Sequence, residues 1–371
     1  MPKSTVRAEG RFKQLCSLGL GGEAVMPALL AELHGVLPSD CNDFHFADET
    51  GTDSAHFCGE NTNFPTSLYT EVFYGTRDAE IKGLAYREVS AIQFGVHDAE
   101  AAIGPDYETD LGRSDIYNLI CAPMGQPMNF LRLFIRDGRQ RKTLGCVDLH
   151  PSMGARPWTL EEKRRLADLE LFFAYALTAR APFDGPLAES GRNGVIIADS
   201  AGRPIQLSAE ARELLFLAAY PRITPGTRVS RLPVLPAAVV RICRNLNRVS
   251  SGDADASAPV YHHRNVWGGF RFRAEWLEGN DPASGLIAIT VTHQEPLPIT
   301  LTRNVEHLPL SRRQAEVCVL MASGYSYEKI AERLGISRHT ANEHGRWIYH
   351  KLDVHNRAEL VSKLLSTQGV H

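Results

Sequence analysis

LSRRQAEVCVLMASGYSYEKIAERLGISRHTANEHGRWIYHKLDVHNRAELVSKLL, residues Leu310 to Leu365, contains four short amphipathic runs, each with its own start and stop signals. Ser311 is placed to cap the first helix, and Gln314 three residues on completes a capping box. Ala315, Val317, Cys318, Leu320 and Met321 form its apolar side, and Gly324 ends it. Ser326 caps a second helix with Ile330, Ala331 and Leu334 inward, and Gly335 supplies its sharp exit. Two residues later Ser337 caps a third. Helices joined by so short a glycine-containing turn cross steeply, as in a helix-turn-helix.

The third helix, Arg338 to about Leu352, has two faces. Ala341, His344, Ile348 and Leu352 recur at steps of three and four as an inward stripe, which makes His344 a packed core histidine. Opposite them stand Arg338, His339, Asn342, Glu343, Arg346 and His350, all hydrogen-bonding side chains. A helix anchored on one face and lined with such groups on the other suits the DNA major groove, where Asn pairs with adenine, Arg with guanine and Glu accepts from cytosine. The predicted DNA contacts are Arg338, Asn342, Glu343 and Arg346, with His339, Thr340 and Lys351 nearer the phosphates. A fourth helix follows a capping box at Asn356 and Glu359, with Ala358, Leu360, Val361 and Leu364 apolar.

These residues resemble the LuxR-type (GerE-like) helix-turn-helix of bacterial transcription regulators. The resemblance runs through Leu310-Ser311, Arg313, Glu316-Val317, Gly324, Ser326, Ile330-Ala331, Leu334, Ile336-Ser337, Thr340, His344, Ile348, Lys351-Leu352, Val354 and Arg357 to Leu360. Two departures stand out: Ala341-Asn342 where the family usually has Val-Lys, and Lys329 where it tends to have Glu. The resemblance implies base reading from Asn342, Glu343 and Arg346, and the departures imply a different operator and weaker phosphate attraction.

The rest of the chain sets the context. At 371 residues, with 43% hydrophobic and 22% charged residues, it suits two or three ordinary globular domains. From Leu301 onward there are ten Lys/Arg against seven Asp/Glu, whereas the upstream part has 30 against 36. A mildly basic tail on an acidic body fits a DNA-binding module joined to something that does not bind DNA. Seven scattered cysteines without a Cys-x-x-Cys suit reduced thiols. No run approaches a membrane span, and Glu23 interrupts the early apolar stretch, so a cytoplasmic protein without a signal peptide is expected.

Upstream, Glu23 to Val36 reads as a helix. Asp43 to Asp48 and Ser54 to Gly59 read as a hairpin, followed by a helix over Thr66 to Gly75. A short helix near Asp115 to Leu119 precedes strands at Asn129 to Ile135 and Leu144 to Leu149, and Thr159 caps one long helix over Trp158 to Ala181. That order, with Arg156-Pro157-Trp158-Thr159, resembles a GAF-like sensor fold. After a connector at Pro182 to Gly191 come a strand Gly194 to Asp199, its return Pro204 to Leu207 and a helix Ser208 to Ala219. A helix Pro233 to Val249, a loop Ser250 to Ala258 and strands Phe270 to Trp276 and Leu286 to Thr292, joined across Glu278 to Ser284, complete a unit similar to a PAS domain. Pro296 and Pro298 mark Glu295 to Leu308 as an irregular linker.

The expected fold is therefore multidomain α+β: a GAF-like module 1–181, a linker 182–193, a PAS-like module 194–294, a linker 295–308 and an all-α helix-turn-helix domain 309–371. Its expected function is sequence-specific regulation of transcription, without enzymatic activity. The expected partners are double-stranded DNA and a second copy of the chain, with a small-molecule effector and RNA polymerase as further candidates. No receiver-domain order is visible, and the upstream region is too long for a single autoinducer-binding domain. The competing reading is an enzyme or small-molecule binder upstream with the tail as accessory, but no nucleophile, base and orienting group assemble by spacing.

Other chemistry is thinner. On a hairpin centred between Glu49 and Thr52, the residues Asp43, His45, His56 and Cys58 share a face, with Cys41 on the same side by parity, a set capable of holding zinc. An exposed polar face kept for solubility explains the same pattern, so no metal and no cofactor is assigned. His262-His263 reads as surface. Phe44, Phe46, Phe57, Phe130 and Phe134 read mostly as core.

Overall fold

The structure, a computed structural model, describes residues 3–47, 53–58, 95–124, 127–138, 142–178, 183–221, 235–277 and 285–366. Helices α1 (Lys3–Ser17) and α2 (Gly22–Val36) lead into strands β1 (Cys41–Ala47), β2 (Asp53–Cys58) and β3 (Gly95–Asp98). Short helices α3 (Ala99–Ile103) and α4 (Tyr107–Arg113) and a π-helical turn (Tyr117–Cys121) follow, then β4 (Leu131–Asp137) and β5 (Lys142–His150). The five strands form one antiparallel sheet in the order β2-β1-β5-β4-β3. The helix expected at Thr66 to Gly75 and the connection Glu278 to Ser284 lie outside the described residues.

Alternation along these strands gives the first sheet two different faces. Phe44, Phe46, Leu131, Leu133, Ile135, Val147 and Leu149 face the main core, where α1 and α2 bury Phe12, Leu15, Met26, Leu29 and Leu33. Phe12 meets Phe173 edge-on at 4.8 Å, and Phe44 stacks on Phe173 at 6.1 Å. The opposite face carries Asp43, His45, Arg132, Phe134, Cys146 and Asp148, and these are buried as well. The hairpin face expected to be exposed for solubility is therefore inside the protein, at least along β1. Phe134 belongs to this second face with Cys146, away from the main core.

The long helix expected at Trp158 to Ala181 is two helices, α5 (Leu160–Ala167) and α6 (Glu170–Leu177). They part where the Leu169 amide donates to Leu166, three residues back, at 3.1 Å. Thr159 and Glu162 complete a capping box, and Arg156 forks onto Glu162 at 2.7 and 2.8 Å. That bidentate bond holds the Glu162 carboxyl down at about 2.

A second antiparallel sheet follows: β6 (Leu187–Ala198), β7 (Pro204–Leu207), β8 (Val260–Asn265), β9 (Gly268–Trp276) and β10 (Ile287–Pro296), in the order β7-β6-β10-β9-β8. The order is the same as in the first sheet, with its strands renumbered from one to five. Strand β6 begins at Leu187, inside the expected connector, because the polar run there pairs with β10 out to Pro296 around a bulge that Gly191 accommodates at φ 85°. Helix α7 (Ala209–Ala219), capped by Ser208, lies so close on β6 that a methyl at Gly194 would overlap the Ala211 backbone. Helix α8 (Ala237–Ser250) packs Val239, Ile242, Cys243 and Leu246 inward. His262 and His263 fall on edge strand β8, exposed and half-buried respectively.

The prolines of the expected linker do not break regular structure. Pro296 ends β10 and Pro298 sits in the first turn of α9 (Leu297–Asn304), where a missing amide hydrogen leaves no intrahelical bond unmade. Helix α9 is buried along most of its length. Its Asn304 donates to the Leu364 carbonyl at 2.9 Å, tying the second sheet's outgoing strand to the last helix of the chain. Arg11 of α1 pairs with Glu32 at 2.7 Å and also with Glu306, just beyond α9.

Candidate nucleic-acid interface

Four helices close the chain: α10 (Arg312–Ala322), α11 (Tyr327–Leu334), α12 (Arg338–Leu352) and α13 (Arg357–Ser366). Each boundary follows from a local signal. Ser311 and Gln314 form both halves of a capping box, Ser326 accepts from the Lys329 amide, and Ser337 accepts from the Thr340 amide at 3.0 Å. Gly335 takes the left-handed conformation at φ 62°, ψ 39°, turning the chain between α11 and α12. Val317, Cys318, Ile330, Ala341, Ile348, Leu352, Leu360 and Leu364 close the core of this unit.

Helix α12 buries Ala341, Gly345, Ile348 and Leu352. His344, expected within that stripe, is only half-buried, and Gly345 takes the tightest position. The reason is the crossing with α11: a methyl at Gly345 would overlap the Tyr327 hydroxyl and stand 2.8 Å from ring atoms Cε1 and Cζ. Gly345→Ala therefore sets two effects against each other. Alanine is the better helix former by about 1 kcal/mol, while overpacking costs about 1–3 kcal/mol. Tyr327 has a rigid ring, so the overpacking should win. We expect a lower unfolding midpoint for Gly345→Ala and recovery in Gly345→Ala/Tyr327→Ala; a single variant as stable as the parent would show that the crossing is not tight.

The outer side of α12 holds the seven residues selected from the sequence. Arg338 is exposed and pairs with Glu328 of α11 at 2.8 Å. His339 and Lys351 are exposed; Thr340 is half-buried, its hydroxyl 2.8 Å from that of Ser337. Asn342 and Glu343 are half-buried one turn further on, and Glu343 accepts from Arg346 at 3.0 Å. The Arg346 side chain is 81% exposed. An exposed ion pair contributes at most about 1 kcal/mol, so it orients the guanidinium without locking it. Thr340, Asn342, Glu343 and Arg346 thus lie along one side of the helix, while Lys351 sits near its far end. Trp347 was missed: it is 59% exposed beside Arg346, with its ring 6.3 Å from that of His350. The signal was present, since it stands one residue out of register with the inward stripe.

Residues 308–364 match the family described as "Bacterial regulatory proteins, luxR family" (GerE). No curated protein matches the chain. Among solved structures, a phage VqmA–DPO complex is 22% identical, with 48% of this chain and 84% of that one covered and a TM-score of 0.19. The Vibrio cholerae VqmA dimer, described in the absence of target DNA as a LuxR-type receptor, is 14% identical, covering 48% and 85%, at 0.16. The sensor region of a sensor histidine kinase is 11% identical, covering 79% and 93%, at 0.20. TM-scores this low carry no argument about the present fold. The C-terminal unit is a LuxR-family helix-turn-helix domain, and no helix among the described residues is long and apolar enough to cross a membrane.

Proposed function

We propose that the chain is a sequence-specific DNA-binding regulator of transcription, reading the major groove with α12. One observation carries this: the helix is held by Ala341, Gly345, Ile348 and Leu352 while Arg338, His339 and Arg346 stand exposed, with Asn342 and Glu343 half-exposed between them. Arg338, Asn342, Glu343 and Arg346 would make the DNA contacts, with His339, Thr340 and Lys351 nearer the phosphates. Arg338 would have to exchange Glu328 for DNA. The small positive excess of the tail makes specific contacts and dimerisation on two half-sites the source of affinity.

The upstream residues would form two sensing or dimerisation modules, GAF-like and PAS-like, in a cytoplasmic protein. The shared strand order of the two sheets supports reading them as related modules. The buried α9 would serve as a coupling strut where an irregular linker was expected.

The test is selection of bound sequences from a random DNA pool, followed by gel shift on the selected operator. Arg346→Ala should weaken specific binding by about 1–3 kcal/mol with little change on random DNA. Unchanged operator affinity would overturn the assignment of Arg346, and failure to select any sequence would overturn the reading as a whole.

A further inference from the structure

We propose that the inward polar face of the first sheet is a zinc site, with Asp43, His45 and Asp148 as protein ligands. One donor atom from each of these three buried residues lies within 4.8 Å of the other two. They come from β1 and β5, neighbours in the sheet whose register places Asp43 directly across from Asp148. Positions on adjacent strands of a sheet are rigid, as metal ligands need to be.

Three observations point to a cation. Asp43 is only 7% exposed, and its Oδ1 has no hydrogen-bond partner among the described residues. A buried carboxylate oxygen without a donor is costly. Next, the contacts around Asp43 are too long for hydrogen bonds: His45 Nε2 is 3.6 Å from Oδ1 and His150 Nε2 is 3.5 Å from Oδ2. The His45–Asp43 separation lies near the ~3.3 Å ligand-to-ligand edge that zinc bonds of 2.0–2.1 Å set in a tetrahedral site. Finally, Asp43 and Asp148 put two carboxylates on one buried face, where Arg132 is the one buried guanidinium among the described residues, and the excess negative charge favours a cation.

Arg132 fixes the plane of the Asp148 carboxylate, donating from Nε to Oδ1 and from Nη2 to Oδ2, both at 2.8 Å, while Cys146 Sγ donates to Oδ1 at 3.6 Å. Arg132 is then the outer partner that fixes a ligand's orientation. With the three donors found among the described residues, zinc keeps an open position, where it would take a further donor. Zinc accepts both donor types present here, imidazole nitrogen and carboxylate oxygen. The site stands on the sheet alone and does not depend on the regulator reading.

The experiment is titration of the full, chelator-treated chain with zinc alone, read by competition against a chromogenic chelator and by thermal unfolding. One equivalent should bind and raise the unfolding midpoint. Asp43→Asn and His45→Gln, checked for folding by circular dichroism, should each weaken zinc binding about tenfold or more. Cobalt added to the unmutated chain provides a reading that needs no variant: visible absorption bands at one equivalent, absent when zinc is already bound. No stoichiometric uptake, or uptake and cobalt bands unchanged in both folded variants, would overturn the site. Stabilisation of the chain by a small organic compound without zinc uptake would likewise assign this face to another ligand.

Discussion

Arg132→Met, measured with a chelator present, is expected to cost about 3–5 kcal/mol, because it strands a carboxylate in the interior of the first sheet. Arg132 is 1% exposed and makes two parallel hydrogen bonds to Asp148, itself 1% exposed. Its guanidinium also lies 4.9 Å from the centre of the Phe130 ring. Burial pushes the Asp148 carboxyl up, but Arg132 outweighs it and holds the group below its ordinary value. Without the guanidinium, burial and the neighbouring Asp43 charge both act upward. The folded-state value then exceeds the unfolded one, and the folded protein loses stability as pH rises through that window. The deficit of Arg132→Met should therefore be larger at pH 8 than at pH 5. Arg132→Met/Asp148→Leu, which removes both charges, should recover much of the loss. A deficit independent of pH and unrelieved in the double variant would mean that the pair is not carrying the buried charge.

What could be read from the sequence followed the range of the forces involved. The helix-turn-helix was legible because its caps, glycine exits and apolar steps are local: Ser311, Ser326 and Ser337 each accept an amide three residues on, as spacing alone suggests. The placing of His344 rather than Gly345 on the inner stripe was an error, and it arose because a close helix crossing selects for small size while periodicity registers only polarity. Helix α1 is absent from the reading of the sequence, although Ala8, Phe12, Leu15 and Cys16 recur at helical steps and are buried. Strand β8 carries no apolar alternation at all; it is specified by its ladder to β9, which no local pattern encodes. Prolines 296 and 298 were read as breakers although a first turn tolerates them. Along β1, Asp43 and His45 were placed together on the polar face of the hairpin, as the sheet register has them. Its burial depends on residues distant in sequence and was not visible locally.

That same distinction between composition and burial governs the second sheet, where we expect acid to unfold the chain through His293. This histidine sits on the central strand β10, 6% exposed, with Nε2 2.9 Å from the Trp267 carbonyl and Nδ1 2.9 Å from the Ser190 hydroxyl. A neutral ring satisfies both contacts, donating from Nε2 and accepting at Nδ1. Burial, reinforced by the Arg192 and Arg303 charges and only partly offset by the Trp267 carbonyl, brings His293 down to about 4. Between that value and the ordinary one near 6.5 the unfolded chain binds more protons, so stability is complete above about 6.5 and falls as pH drops toward 4. The full span corresponds to a loss on the order of 3 kcal/mol. Glu32 and Glu213, both pushed up chiefly by burial, act with the opposite sign in the lower part of the window. His150, raised by its contact with Asp43 against the cost of burial, acts above it. The His293 contribution is therefore read as a difference. Denaturant unfolding of the parent and of His293→Gln should give two pH profiles that converge as pH falls from 7 to 4.5, the parent losing its advantage. Parallel profiles would show that the ring is not held neutral. Since β10 runs directly into α9 and on to the Leu364 contact, the parent should lose protection of the α9 amides over the same pH interval.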